Sequence, residues 1–466
     1  MTDDTLRTAF DRLHAASRRE PAPDHKTRRD RLMRLRAMIA DHTEAFAEAI
    51  SADFGVRSKT ETRLLEVAPI YNAIRHARSH LRAWMKPSPS HVDMSFLPSR
   101  AWVRHEPLGV VGIISPWNYP LQLALSPLVD VLAAGNRALI KPSELTPRFS
   151  DLLQEIVAKT YSPEEVAVVT GGPDVAAAFS ALPFDHLIFT GSTSIGRKVM
   201  AAAAPNLTPV TLELGGKSPA IVCEDYDMQK AAHSIAFGKF LNAGQTCIAP
   251  DYVLAPKART RPLAEALLAH ARSSYPTLAD NDDYTAIISP RHYDRLANAL
   301  ADAREKGATA LQIEDPAAAQ QRKLPPTVLL DTPPDSLFLT EEIFGPVLPV
   351  VGYDSLEEAL DFVNAHDRPL ALYAFSNSSR TREHILDRAI SGGVTLNGTL
   401  LHIAQDSMPF GGVGASGIGA YHGYEGFKRF SHARAVFETG FLNVFERLGP
   451  PWGAAADLVV KTMARR

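Results

Sequence analysis

Of the two cysteines in this sequence, Cys247 stands where a thiol can work. It closes Leu241-Asn242-Ala243-Gly244-Gln245-Thr246-Cys247, a small, turn-prone stretch after a helical run. A thiol attacks as its anion, which needs partial access and nearby donors or positive charge, and Asn-Ala-Gly-Gln permits a close backbone approach. Packed as a small hydrophobe, the same residue would be inert. Asn118, in Ser115-Pro116-Trp117-Asn118-Tyr119-Pro120, is an amide held between prolines. It is either a rigid donor for a developing oxyanion or a turn asparagine. Glu213 sits in an apolar run beside Gly215-Gly216. It reads as a base whose pKa burial would raise, or as a structural carboxylate paired with a lysine such as Lys217.

Two further stretches suit a phosphate or a sugar. Phe189-Thr190-Gly191-Ser192-Thr193-Ser194-Ile195-Gly196 follows a strand and opens a helix, whose free N–H groups bind anions. It lacks the full G-x-G-x-x-G spacing, so an ordinary helix capped by Ser192 or Thr193 is the alternative. Ile140-Lys141-Pro142-Ser143-Glu144 places a cation and a carboxylate at another strand end, where a carboxylate accepts from ribose hydroxyls or simply forms a solvated surface pair.

Alternating elements must position these groups. Helical spacing runs from Asp3 to Phe54 and from about Ser58 to Trp84, ended by Lys86-Pro87-Ser88-Pro89. Strands are expected at Gly109 to Ile114, Ala138 to Lys141, Glu165 to Thr170 and His186 to Thr190, with helices between them. A second alternating set follows Gly215-Gly216: strands at Ala220 to Cys223, Tyr252 to Leu254, Thr327 to Leu330, Val347 to Val351, Ala371 to Phe375 and Gly393 to Leu396. This order predicts an α/β protein of two doubly wound parallel-sheet domains hinged at Gly215-Gly216. The β-prone pieces Ser90 to Glu106 and Ala433 to Glu438 are expected to pair in a small oligomerisation arm. The expected division is 1–86 with 107–214, then 215–416, with 87–106 and 417–466 as arm and C-terminal tail.

Composition narrows the chemistry. The chain has 466 residues, 45% apolar and 22% charged, with a formal net charge of −3. That excludes a disordered chain and gives no electrostatic case for nucleic acid. Two cysteines cannot build a disulfide framework or a metal cluster, so a reducing compartment and non-metal chemistry follow. The N-terminus carries no signal-like apolar segment and reads as cytoplasmic. The tail from Phe441 to Met463 is too interrupted by charge and proline to span a bilayer. Cys223, in an expected buried strand, reads as structural.

Taken in order, Trp117-Asn118-Tyr119-Pro120, Lys141-Pro142-Ser143-Glu144, Gly191-Ser192-Thr193, Leu212-Glu213-Leu214-Gly215-Gly216-Lys217-Ser218-Pro219, Gly244-Gln245-Thr246-Cys247, Glu342-Ile343-Phe344-Gly345-Pro346 and Pro409-Phe410-Gly411-Gly412 form one series. It resembles the NAD(P)-dependent aldehyde dehydrogenase superfamily across roughly Trp84 to Phe430. Gly244 to Tyr252 and Pro409 to Gly423 look like its class 3 branch, with a relative that acts on an aromatic enal.

The resemblance implies aldehyde-dehydrogenase-like architecture and oxidation of an aldehyde to the acid. Cys247 would be the nucleophile, Asn118 the oxyanion donor and Glu213 the base for thioester hydrolysis. Lys141 and Glu144 would hold the adenine ribose, Gly191 and Ser192 the pyrophosphate, and Glu342 with Phe344 the nicotinamide ribose, while Trp117 shapes the inner pocket. Tyr119, Gln122, Leu123 and Ser126 would wall the substrate tunnel, where small Ser126 suits an aromatic or medium-chain aldehyde. Glu144 favours NAD, with NADP also expected, and the partner is a second copy of the chain in a homodimer. Two other readings are a relative that passes the acyl group to coenzyme A, against which Glu213 argues, and a cofactor-binding relative without catalysis.

Overall fold

The computed structural model describes residues 3–464; residues 1–2 and 465–466, at the extremes of the expected ranges, lie outside the described residues. Pro21 and Pro23 divide the N-terminal helical run into α1 (Asp3–Arg19) and α2 (His25–Phe54). The second is capped by Asp24, which accepts the Thr27 N–H at 2.8 Å. What reads as one further run is α3 (Lys59–Thr62), a π-helical turn at Arg63–Val67, and α4 (Ala68–Trp84). The chain continues through β1 (Ser88–Ser90) and β2 (Arg100–Pro107).

Strands and helices then alternate: β3 (Val110–Ile114), α5 (Pro120–Ala134), β4 (Arg137–Lys141), α6 (Pro147–Thr160), β5 (Val166–Val168), α7 (Pro173–Ser180), β6 (His186–Gly191), α8 (Thr193–Ala203) and β7 (Val210–Leu214). Beyond Gly215-Gly216 come β8 (Pro219–Val222), α9 (Met228–Phe240), β9 (Tyr252–Pro256), β10 (Thr309–Gln312), β11 (Thr327–Leu330), β12 (Val347–Tyr353), β13 (Ala371–Phe375) and β14 (Gly393–Leu396). Two late strands, β15 (Gly417–Ile418) and β16 (Ser431–Glu438), complete the sheets.

The first sheet has the order β15-β7-β6-β3-β4-β5, parallel except for β15. The second runs β10-β11-β12-β9-β8-β13-β14, parallel except for the edge strand β10, which the sequence pattern does not reveal. The arm is the antiparallel sheet β1-β2-β16, with Ser431 opposite Pro107 and Glu438 opposite Arg100. Strand order in the first sheet reverses between β3 and β6, so the crevice beyond their carboxyl ends is where such a sheet admits a ligand. The segments after β3, β6 and β7 carry Asn118, Ser192 and Gly215, and Lys141 ends β4.

Every residue of α5 is buried. It starts at Pro120, whose missing N–H is no loss at a first helical position, and ends at Gly135 in the left-handed region (φ 92°). With no solvent face it shows no amphipathic period, which explains its invisibility to periodicity. A single buried cluster runs from Leu35 and Leu128 through Ile113 to Ala220 and Val350, joining both sheets.

The expected tail from residue 417 is divided. The chain first returns to the first sheet, pairing Gly417 with Glu213, and the helix Gly423–Arg429 lies against α5 and α4. Small residues from Gly411 to Gly419 permit that close return, and the arm resumes at Ser431. Because Leu128 is fully buried in α5, Leu128→Ala is expected to lower stability by about 2–5 kcal/mol, read from the shift of a urea unfolding midpoint.

Candidate active site

After α9 the backbone turns through Asn242 and Ala243 (both φ 49°) and Gly244 (φ 73°). A side chain at Gly244 would also meet the Gly345 carbonyl, so only glycine fits there. Gln245 fixes the turn: its Nε2 donates to Asn242 O at 3.0 Å and to Ala286 O at 3.1 Å, and its Oε1 accepts from Ile288 N at 3.0 Å. Cys247 follows, half-buried. Desolvation, then the charges of Glu342 and Glu213, push its thiol up to about 12, against the favourable N–H groups of Cys247 and Ile248. The resting group is a thiol.

Asn118 is buried against this turn. Its Nδ2 donates to Gln245 O at 3.1 Å, and Asn242 Nδ2 donates to Asn118 O at 3.0 Å. A primary amide has two N–H bonds, so one remains for another acceptor.

Glu213 is buried on β7, and neither of its oxygens has a hydrogen-bond partner among the described residues. Pairing with Lys217, the structural alternative, does not occur: Lys217 pairs with Asp251 and donates to Phe338 O and Glu341 O at 2.9 Å each. Burial holds the Glu213 carboxyl well above the usual range, with Arg429 opposing from a distance. The Arg429 guanidinium is itself taken by Thr211 Oγ1 at 2.8 Å and Val210 O at 2.9 Å.

The expected cofactor groups line the same crevice. Lys141 is buried, with Nζ 3.2 Å from the half-exposed Glu144, so this is not a fully solvated pair. Ser192 occupies the N-cap position of α8 without capping it; its hydroxyl lies 3.2 Å from Ser194 Oγ. Thr193 is the first helical residue and donates to Ala415 O at 3.2 Å. The α8 N-terminus therefore presents N–H groups with no side-chain cap among the described residues. Glu342 lies where a Gly215 side chain would be, its Oε1 without a hydrogen-bond partner among the described residues. Burial and then Asp251 push it up to about 8. Phe344 stands edge-on to Trp117 at 5.4 Å. An uncapped helix end, an orphan buried carboxylate and a buried lysine beside an accessible carboxylate fit a dinucleotide's phosphates and ribose hydroxyls.

Tyr119, Gln122, Leu123 and Ser126 are all buried and share one face at the start of α5. Tyr119 is engaged, its hydroxyl 2.7 Å from Thr246 Oγ1, and so also supports the turn. Two groups escaped sequence reasoning. The Tyr421 hydroxyl is buried without a hydrogen-bond partner among the described residues, and burial followed by Glu213 and Cys247 raises its pKa. Lys239 Nζ is buried and likewise has no hydrogen-bond partner, pushed down to about 8 by burial. A lysine on a helix reads from sequence as a surface charge, whereas Tyr421 lies inside the Pro409 to Gly423 stretch that carries the class 3 resemblance.

Two wound sheets joined by one buried core, with a half-buried cysteine on the turn that leads into β9, define the class of α/β architecture. The chain belongs to the aldehyde dehydrogenase family, whose profile matches residues 1–436. It is 48% identical to the probable coniferyl aldehyde dehydrogenase of Caulobacter vibrioides, over 96% of this chain and 94% of that protein. It is 46% identical to the coniferyl aldehyde dehydrogenase of a Pseudomonas species, covering 92% and 90%. The dimeric NADP-preferring aldehyde dehydrogenase of Rattus norvegicus is 39% identical, covering 88% and 89%. Among solved structures, the substrate-bound state of Staphylococcus aureus AldH superposes with a TM-score of 0.92 at 35% identity, covering 98% of this chain and 99% of that one. The NAD+ complex of a Bacillus cereus aldehyde dehydrogenase gives 0.84 at 26% identity, covering 94% and 89%.

A thiol held near 12 carries few anions at neutral pH. Alkylation of Cys247 by iodoacetamide in the free protein is expected to accelerate about tenfold per pH unit from about pH 7 to about pH 10, measured by mass spectrometry against Cys247→Ser; a plateau near pH 7 would contradict the protonated resting state.

Proposed function

We propose that the chain oxidises an aromatic aldehyde of the coniferyl type to its carboxylic acid, with water as the acyl acceptor. The observation that carries this reading is Glu213, a buried carboxyl without a hydrogen-bond partner among the described residues, whose charge acts on the Cys247 thiol. Cys247 Sγ gives up its proton to solvent and adds to the carbonyl carbon, and the displaced electron pair becomes an oxyanion held by the free Asn118 N–H and the Cys247 backbone N–H. Bound NAD would supply the acceptor for the hydride released as the carbonyl re-forms. The thioester left on Cys247 is attacked by water whose proton Glu213 takes; the C–S bond breaks, and acid leaves with the thiol restored.

The first sheet with the N-terminal helices serves the cofactor and the second carries the nucleophile. Lys141 and Glu144 would hold the adenine ribose, Gly191 and Ser192 the pyrophosphate, and Glu342 and Phe344 the nicotinamide ribose, with Trp117 shaping the inner pocket. The acidic Glu144 favours NAD, while buried Lys141 and the NADP preference of the rat relative support use of NADP as well. Tyr119, Gln122, Leu123 and Ser126 wall the substrate path, and the coniferyl relatives support an aromatic aldehyde there. No helix among the described residues is long and apolar enough to cross a membrane. Two free cysteines suit a reducing cytoplasm.

Cys247→Ala is expected to abolish aldehyde-dependent formation of reduced nicotinamide, followed by its near-ultraviolet absorbance across a panel of aldehydes with each cofactor. Glu213→Gln should release about one reduced cofactor per site and then stall at the thioester. Undiminished steady turnover in either variant refutes the role given to that residue.

The chain assembles as a homodimer through the arm, whose edge strand β16 presents a half-exposed Phe437. Sedimentation at micromolar concentration should give twice the chain mass; a monomer there rejects the dimer.

A further inference from the structure

A cluster of buried charge lies behind the candidate site, on α3, the π-helical turn and the connection before them, which carry none of the residues assigned above. Glu66 is fully buried in the π-helical turn, and its Oε2 accepts the N–H of Leu121 at 2.8 Å and of Gln122 at 3.2 Å. These are the first free donors of α5, since Pro120 has no N–H and Tyr119 provides no side-chain cap. A carboxylate borrowed from another element thus caps the helix that begins two residues after Asn118. An extra residue in a π turn re-aims a side chain, and such turns concentrate at functional sites.

Arg57 holds Glu66 in place. Its NH1 lies 2.8 Å from Glu66 Oε1, both side chains are completely buried, and its guanidinium covers the rings of Tyr119 at 4.9 Å and Phe54 at 5.2 Å. Tyr119 in turn meets Thr246, the residue before Cys247. Glu61 faces Arg57, the Asn242 N–H, Glu66 and Asp283, and burial pushes it up to about 7. Tyr275 also senses Glu61. The cluster touches the site on both flanks: the α5 start on one side, the nucleophile turn on the other. A buried ion pair adds little net stability over apolar residues of the same size, so stability is a poor account of it.

We propose that Glu66, held by Arg57, is a positioning residue that sets the Asn118 amide for the oxyanion. The role rests on the function proposed above and acts through Asn118 alone. Misplacing such a donor by about 1 Å is enough to cost on the order of a hundredfold in rate.

The test is a double-mutant cycle with Asn118→Ala. The pair Arg57→Met with Glu66→Leu removes both charges and the cap while conserving volume, and Glu61 is left to hold its proton. The companion pair Arg57→Met with Glu66→Gln keeps an acceptor for the two N–H groups. The first pair should fold, bind NAD and alkylate at Cys247 like the parent, yet lose at least about tenfold in kcat/KM for aldehyde. The glutamine pair should recover most of that loss. In the Asn118→Ala background the first pair should cost less than about threefold further, because the donor it positions is gone.

Full turnover in the first pair, an equal loss added to Asn118→Ala, or a matching loss of NAD binding and alkylation would each overturn the role. If the first pair does not fold, the decision passes to Arg57→Lys, which keeps the charge but loosens the hold on Glu66, with and without Asn118→Ala: no loss or an additive loss in kcat/KM overturns the role, and a non-additive loss supports it. A parent protein that oxidises no aldehyde at all removes the underlying function and the role with it, an outcome distinct from a working parent with an indifferent pair.

Discussion

Three consecutive residues in the left-handed region, Asn242, Ala243 and Gly244, decide where Cys247 stands, and two of them have side chains that resist it. Each non-glycine residue there costs about 1–2 kcal/mol, so the turn persists only while its neighbours over-determine it. They do. Asn242 donates to Asn118 O and to Gln245 O, and Gln245 bonds back to Asn242 and across to Ala286 and Ile288. The strain and the hydrogen bonds that hold it are one arrangement, and it brings the Asn118 amide and the thiol together because both hang from it.

The electrostatics follow from the same burial. Cys247, Glu213 and Glu342 are acids in one low-dielectric crevice, and each is shifted toward its neutral form, first by desolvation. Like charges so close resist ionising together. Two nearby cations are spoken for, Lys217 by Asp251 and Arg429 by Thr211 and Val210, while the buried Lys239 Nζ has no hydrogen-bond partner among the described residues. Burial thus biases all three acids the same way, toward the protonated form.

Legibility in the sequence tracked exposure and chain locality. Strands of the two sheets were readable because continuous apolar runs alternate with helical periods, and the arm pairing because prolines isolate its strands. The turn around Cys247 and the proline-framed Asn118 announced themselves by residue type. α5 did not, since a helix buried on all sides has no period to detect. Arg57, Glu61, Glu66 and Lys239 were hidden for the opposite reason: charged residues at helical spacing look like a solvated face, and nothing local says that other elements enclose them. The return of residue 417 to β7 depends on contacts far along the chain, and a two-residue strand carries no pattern of its own.

That return has a temporal meaning. β15 lies beside Glu213, yet Gly417 is made after every strand of the second sheet. On the ribosome the wall next to this acid is absent until nearly all of both sheets has emerged. The thiol and its neighbouring acid are thus sheltered together only after every other strand of both sheets has been made, and completion of the crevice waits on β15.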